Sequence, residues 1–177
     1  MTGPLYERTR ALLTVVDASS RVRLVLANIP GLLYRISTPA GAGLEPRVSR
    51  RAGLVRTTLV PTGDDGPNEV RIVLNRAVRW DIRLPAGAGE QQLDLARGHV
   101  TRLDVGPSGL VEMRLSEPRG SVPLTLTGGV GTLIIRVPRG VTLRLALNKD
   151  APPAPDRYVL HARSSVGGLT VRRTDGH

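Results

Sequence analysis

The sequence offers few residues able to do chemistry, and their spacing decides what each can do. Ser108, His99 and either Asp94 or Asp104 supply the side-chain types of a nucleophile, a base and an orienting acid. The surrounding Gly106-Pro107-Ser108-Gly109 lacks the glycine two places after the serine that a nucleophile elbow requires, so Ser108 reads as a turn serine. Three histidines (His99, His161 and His177) share no metal-ligand spacing, and with no cysteine in the chain no zinc site is expected. A phosphate cradle needs Gly-x4-Gly-Lys before Ser or Thr, yet the single lysine, Lys149, lies in a proline-rich stretch. The clusters Gly41/Gly43, Gly87/Gly89 and Gly128/Gly129/Gly131 complete no dinucleotide fingerprint and read as corners needing positive φ. No catalytic residue, cofactor site or metal site follows, and no enzyme is expected.

The remaining candidates are binders. The chain carries 25 basic residues against 15 acidic, a net charge of +10, and 24 of the 25 are arginine. By thirds, residues 1–60 carry 9 − 3 = +6, residues 61–120 carry 8 − 9 = −1, and residues 121–177 carry 8 − 3 = +5. Arg21, Arg23, Arg47, Arg50, Arg51, Arg172 and Arg173 are the candidate anion contacts at these basic ends. With three Tyr, one Trp and no Phe, the basic residues lack the aromatic interleaving of base-stacking modules. Trp80 has two readings: an outward anchor for a partner, or a cover over a coil corner at a strand start.

The elements that position these residues are strands. From residue 70 an apolar-x-apolar unit recurs at Ile72/Leu74, Ile82/Leu84, Leu93/Leu95, Leu103/Val105, Met113/Leu115, Leu124/Leu126, Ile135/Val137 and Leu143/Leu145, in steps of 10, 11, 10, 10, 11, 11 and 8 residues. Apolar residues two apart share a strand face, and those between them (Val73, Arg83, Asp94, Asp104, Arg114, Thr125, Arg136 and Arg144) point to solvent. Turn formers separate the units. Constancy of step favours an all-β, short two-sheet β-solenoid with two strands per coil of about 21 residues. One sheet takes Ile72, Leu93, Met113 and Ile135; the other takes Ile82, Leu103, Leu124 and Leu143. Asp94 and Asp104 then face opposite ways and cannot pair as acid and base. Stacked aliphatic ladders account for the near absence of rings.

The chain reads as one β domain: a capping segment over residues 1–20, coils over 21–147, a protruding proline-rich loop over 148–157 and terminal strands over 158–177. No stretch reaches the roughly 20 apolar residues of a membrane span, and no secretory signal is evident, so a cytoplasmic location is expected.

The phrases Trp80-Asp-Ile-Arg-Leu-Pro85, Val122-Pro-Leu-Thr-Leu-Thr-Gly-Gly-Val-Gly131 and Ile135-Arg-Val-Pro-Arg-Gly-Val141, with Val166-Gly-Gly-Leu-Thr-Val171 as a further coil, resemble the putative-adhesin family of β-solenoids, the toast-rack domains. The likeness covers roughly residues 70–145 and the last strand. It implies a non-enzymatic protein. The leading expectation is an interaction or scaffold module working by surface display, or by end-to-end or face-to-face assembly with a protein partner or itself. The alternative is a basic module binding nucleic acid or an acidic membrane surface non-specifically; no small-molecule substrate is expected. A carbohydrate-active enzyme, the third class considered, would need a carboxylate-lined cleft.

Overall fold

The chain's computed structural model describes residues 1–146 and 156–175. Lys149–Pro155, read above as a protruding loop, and His177 lie outside the described residues.

Sixteen strands and no helix occur among the described residues. In chain order they are β1 (Thr2–Pro4), β2 (Arg10–Val15), β3 (Ser19–Ala27), β4 (Leu32–Ser37), β5 (Leu44–Arg51), β6 (Leu54–Pro61), β7 (Glu69–Asn75), β8 (Arg79–Leu84), β9 (Ala88–Asp94), β10 (His99–Val105), β11 (Ser108–Arg114), β12 (Ser121–Leu126), β13 (Val130–Pro138), β14 (Thr142–Ala146), β15 (Arg157–Ala162) and β16 (Val166–Thr174). They form two eight-stranded sheets. Sheet A runs β1-β4-β7-β3-β9-β11-β13-β16, and sheet B runs β14-β15-β12-β10-β8-β2-β6-β5. The body is parallel; only β1/β4, β4/β7 and β5/β6 pair antiparallel. This is the two-sheet β-solenoid that the repeat predicts.

The register gives the coil length. Ile82, Leu103 and Leu124 are in register in sheet B, and each step is 21 residues (103 − 82 and 124 − 103). Leu93, Met113 and Ile135 are in register in sheet A. All six side chains are at most 2% exposed, so each ladder is a continuous aliphatic column sealed from water.

Three expectations are corrected. The first 20 residues do not cap the solenoid. β2 lies between β6 and β8, and β3 between β7 and β9, both parallel to their neighbours. Leu24 thereby separates Ile72 from Leu93 in the column. The reason is burial: Leu13, Val15, Val22, Leu24 and Leu26 are all buried, which an interior slot allows and an edge does not. That end is closed instead by β1 and β4 on sheet A and by the β5–β6 hairpin on sheet B. The hairpin turns through Ala52 (φ 47°) and Gly53 (φ 87°), the double positive φ of a tight hairpin.

At the other end β15 lies between β12 and β14, so Leu160, not Leu143, is the neighbour of Leu124. The apolar Tyr158, Val159 and Leu160 are buried in this slot, while Leu145 on the displaced edge strand is 55% exposed.

The corner glycines are the third correction. Gly41 and Gly87 have positive φ, but Gly89, Gly128, Gly129 and Gly131 do not. Gly89, Gly109, Gly131 and Gly167 are stacked coil on coil at the start of the sheet A strands. A Cβ on each would lie 2.8, 2.8, 2.6 and 2.5 Å from the carbonyl oxygen of the residue before it in the stack, beginning at Ser20. Glycine is required there because successive coils approach closely, not because of φ.

Candidate interaction surfaces

The side chains that might have formed a catalytic set are held apart. Ser108 opens β11 in sheet A, and its hydroxyl donates to the Gly106 carbonyl (3.0 Å) while accepting from the Gln91 amide (2.9 Å). His99 opens β10 in sheet B; burial, then the charges of Arg119 and Arg79, push its imidazole below its usual range. Asp94 faces out from sheet A and gives an oxygen to the Ala96 amide (3.2 Å), whereas Asp104 is held by Arg102 on sheet B (2.7 Å). Among the described residues no cluster of His, Asp and Glu could hold a metal.

Trp80 is not a partner anchor. It is 0% exposed, it shares the inward face with Ile82 and Leu84, and its indole N–H donates to the Asn75 carbonyl at 3.0 Å. The alternation Trp80-x-Ile82-x-Leu84 carries this in the sequence. Tyr34 and Tyr158 are buried as well; Tyr6, at φ 45°, is exposed beneath the Arg50 guanidinium, 5.4 Å from its ring centre.

The seven arginines proposed as anion contacts are not brought together. Arg21 and Arg23 lie on the outer face of sheet A beside Glu69 (3.7 and 3.3 Å), and Arg21 also pairs with Glu90 (2.9 Å). Glu69 gains a third partner in Arg71 (2.9 Å). The hydrogen bond from Arg71 holds its carboxyl below the usual range, helped by the charges of Arg23, Arg71 and Arg21 and opposed by burial. Arg47 pairs with Glu45 on β5 (2.9 Å), near Arg51 at the strand's end. Arg172 is at the opposite end of the molecule on β16.

Arg50 and Arg173 have a different place. Register puts Arg50 opposite Val55 and Arg173 opposite Val137, both 0% exposed, so each arginine occupies an inward-facing position on an edge strand. Each crosses the open end of the sandwich. Arg50, from sheet B, donates to the Pro4 carbonyl of sheet A (2.5 Å); Arg173, from sheet A, donates to the Val141 carbonyl ahead of β14 in sheet B. An inward charge on an edge strand opposes edge-to-edge pairing. The sequence showed these residues as basic ends; strand parity at the edges was the missed signal.

The outer faces carry the remaining charge. On sheet B the signs alternate: Asp81 and Arg83 (2.9 Å) stand beside Arg102 and Asp104, opposite charges in register. On sheet A one row breaks that rule. Arg114, Arg136 and Arg172 are in register across β11, β13 and β16. Neighbouring strands are about 4.8 Å apart, so adjacent charges repel by about 0.9 kcal/mol even in a water-like dielectric. Arg136 pairs with Glu112, but neither Arg114 nor Arg172 has an ion-pair partner among the described residues. Beside the row is a shallow concavity of about 770 Å³, with half-buried Val25 and Val73 in its floor and Arg23 and Arg71 on its far side.

With this geometry in place, residues 55–136 match the family described as the N-terminal domain of toast_rack, DUF2154. Residues 55–136 form a toast-rack domain. The toast-rack match takes in the regular coils from β8 to β11 and most of β13. Over the whole chain the fold is similar to the crystal structure of a putative cell adhesion protein from Clostridium sporogenes, with TM-score 0.66, 14% identity and 98% of each chain covered. At that identity the likeness is one of fold. A search of curated proteins finds no match.

Proposed function

We propose that this chain is a non-catalytic interaction module that works as a monomer and meets its partner through the outer face of sheet A. The observation carrying this reading is the closure of both solenoid ends by the inward arginines Arg50 and Arg173. A scaffold built by stacking coils end to end would bury two guanidiniums per junction, and the two chain ends share a positive sign. The broad faces are then the surfaces free to bind. The toast-rack match and the described role of its structural neighbour in cell adhesion support an interaction role in general terms. Light scattering of the purified protein over a concentration series at physiological salt tests it: a constant monomer mass is expected, and growth of mass with concentration would overturn the reading.

The second reading, a basic module holding nucleic acid or an acidic membrane, draws on the net charge of +10 and the Arg114–Arg136–Arg172 row. It requires binding that falls linearly with salt on a log–log plot.

A further inference from the structure

We infer that the Arg114–Arg136–Arg172 row, with the valine-floored concavity beside it, is the docking site for an extended acidic peptide segment of a partner protein. This rests on the interaction-module reading and supplies the partner's chemistry. Three observations carry it. The row stacks like charge where the rest of both faces alternates sign, so it costs stability that the fold elsewhere avoids losing. Arg114 and Arg172 keep their guanidinium forks unpaired among the described residues, and that fork matches a carboxylate in two parallel hydrogen bonds. The concavity next to the row mixes an apolar floor, Val25 and Val73, with the acids Asp94 and Glu112.

That mixture selects the class of partner. A continuous phosphate backbone laid across the face meets Asp94 and Glu112 at close range, and finds no ring to stack a base upon. A peptide in extended conformation presents discrete carboxylates on one side and apolar side chains between them. Its carboxylates are then received by the arginines, and its apolar side chains by the valines.

The test uses the full chain and a fluorescein-labelled peptide of alternating Glu and Val, read by fluorescence anisotropy at low and physiological salt. Binding to the unaltered protein is expected. The double substitution Arg114→Ser/Arg172→Ser should weaken it roughly tenfold. Arg47→Ser/Arg51→Ser, which removes the same charge from β5, should leave it unchanged. Equal weakening by both pairs would reduce the effect to net charge and overturn the inference. So would an oligonucleotide that binds the same row more tightly than the peptide, or a peptide that fails to bind at low salt. Scattering of the same samples separates the two readings. A monomer indifferent to the peptide refutes the docking site and leaves the interaction module standing; a concentration-dependent oligomer refutes the module itself.

Discussion

Replacing Arg173 by valine should turn this monomer into an end-to-end dimer. Arg173 sits in the inward register of β16, which the sequence otherwise fills with apolar residues. Leu169 and Val171 at the preceding inward positions are 39% and 41% exposed, and Leu145 across the gap on β14 is 55% exposed. Removing the guanidinium completes an apolar end plate. β16 is nine residues long, or about 30 Å, and two sheets with their side chains are about 20 Å across. The plate is therefore about 600 Å² per partner, or about 1,200 Å² for a pair, the lower limit of specific interfaces. A two-fold dimer of the unaltered protein would desolvate two guanidiniums in that area, each costing several kcal/mol. A net gain of about 2.7 kcal/mol on substitution, which is a conservative share of that cost, is a hundredfold in the dissociation constant. Sedimentation equilibrium on the unaltered protein, Arg173→Val and Arg173→Lys measures it. The valine variant should dimerise at micromolar concentrations while the other two remain monomers. A monomeric valine variant, or a lysine variant that dimerises equally well, refutes the role assigned to the charge.

Three further outcomes are expected. Gly109→Ala should destabilise the fold by about 1–3 kcal/mol because the new Cβ meets the Gly89 carbonyl oxygen at 2.8 Å, whereas Gly168→Ala, with nothing within 4 Å, should stay within about 0.5 kcal/mol in urea titrations; equal effects would discredit the close-approach reading of the glycine stack. Glu69→Gln should cost about 1–3 kcal/mol at neutral pH. The Glu69 carboxyl is depressed in the folded state, so its stabilisation is present above the unfolded value near 4.5 and is lost as pH falls through the lower folded value. The gap between the two proteins must therefore close in acid, and a pH-independent gap would contradict the three-arginine contact. Tyr158 is the alkaline counterpart: burial pushes its hydroxyl up to about 12 from 10.0, so stability intact below pH 10 is lost as pH rises towards 12. Tyr158→Phe should cost about 1 kcal/mol through the Ser116 carbonyl it leaves unpaired. It should also flatten the alkaline limb of the stability curve, and a limb of unchanged steepness would point to other groups.

How much of this was legible in the sequence depends on which physical rule each feature obeys. The column Leu93–Met113–Ile135 and the column Ile82–Leu103–Leu124 were legible because period-two alternation and a 21-residue step are local properties of the chain. The insertion of β3 between β7 and β9 was not, because a parallel ladder is indifferent to sequence order once both neighbours offer an apolar face. The same holds for β15, which takes the interior slot from β14 on the strength of its more apolar run. Trp80 was legible in principle, since it shares parity with Ile82, but its size drew attention to the surface. Arg50 and Arg173 needed one fact absent from local pattern: that their strands are edges. At an edge, an arginine in an apolar register keeps a solvated route for its charge, whereas in an interior strand the same residue would be an isolated buried ion.

The arginine row follows from the architecture by the same logic. A parallel in-register solenoid copies each outward position from coil to coil, so a residue type repeated at the 21- to 22-residue step becomes a line on the surface. Arg114 and Arg136 are 22 apart, and Arg172 joins them because the chain between residues 136 and 172 leaves the row for β14 and β15 on sheet B and returns in register. Where neighbouring positions alternate in sign the line stabilises the stack, as Asp81, Arg83, Arg102 and Asp104 do on sheet B. Where they agree in sign, the fold bears a repulsion that only an external anion relieves. Relieving it by substitution should therefore raise stability: Arg114→Ser, exposed and without an ion pair among the described residues, is expected to gain up to about 1 kcal/mol in thermal unfolding at low salt, with the gain fading as salt screens the row. A loss of stability on that substitution would mean the row supports the fold, and the case for a docking site would fall with it.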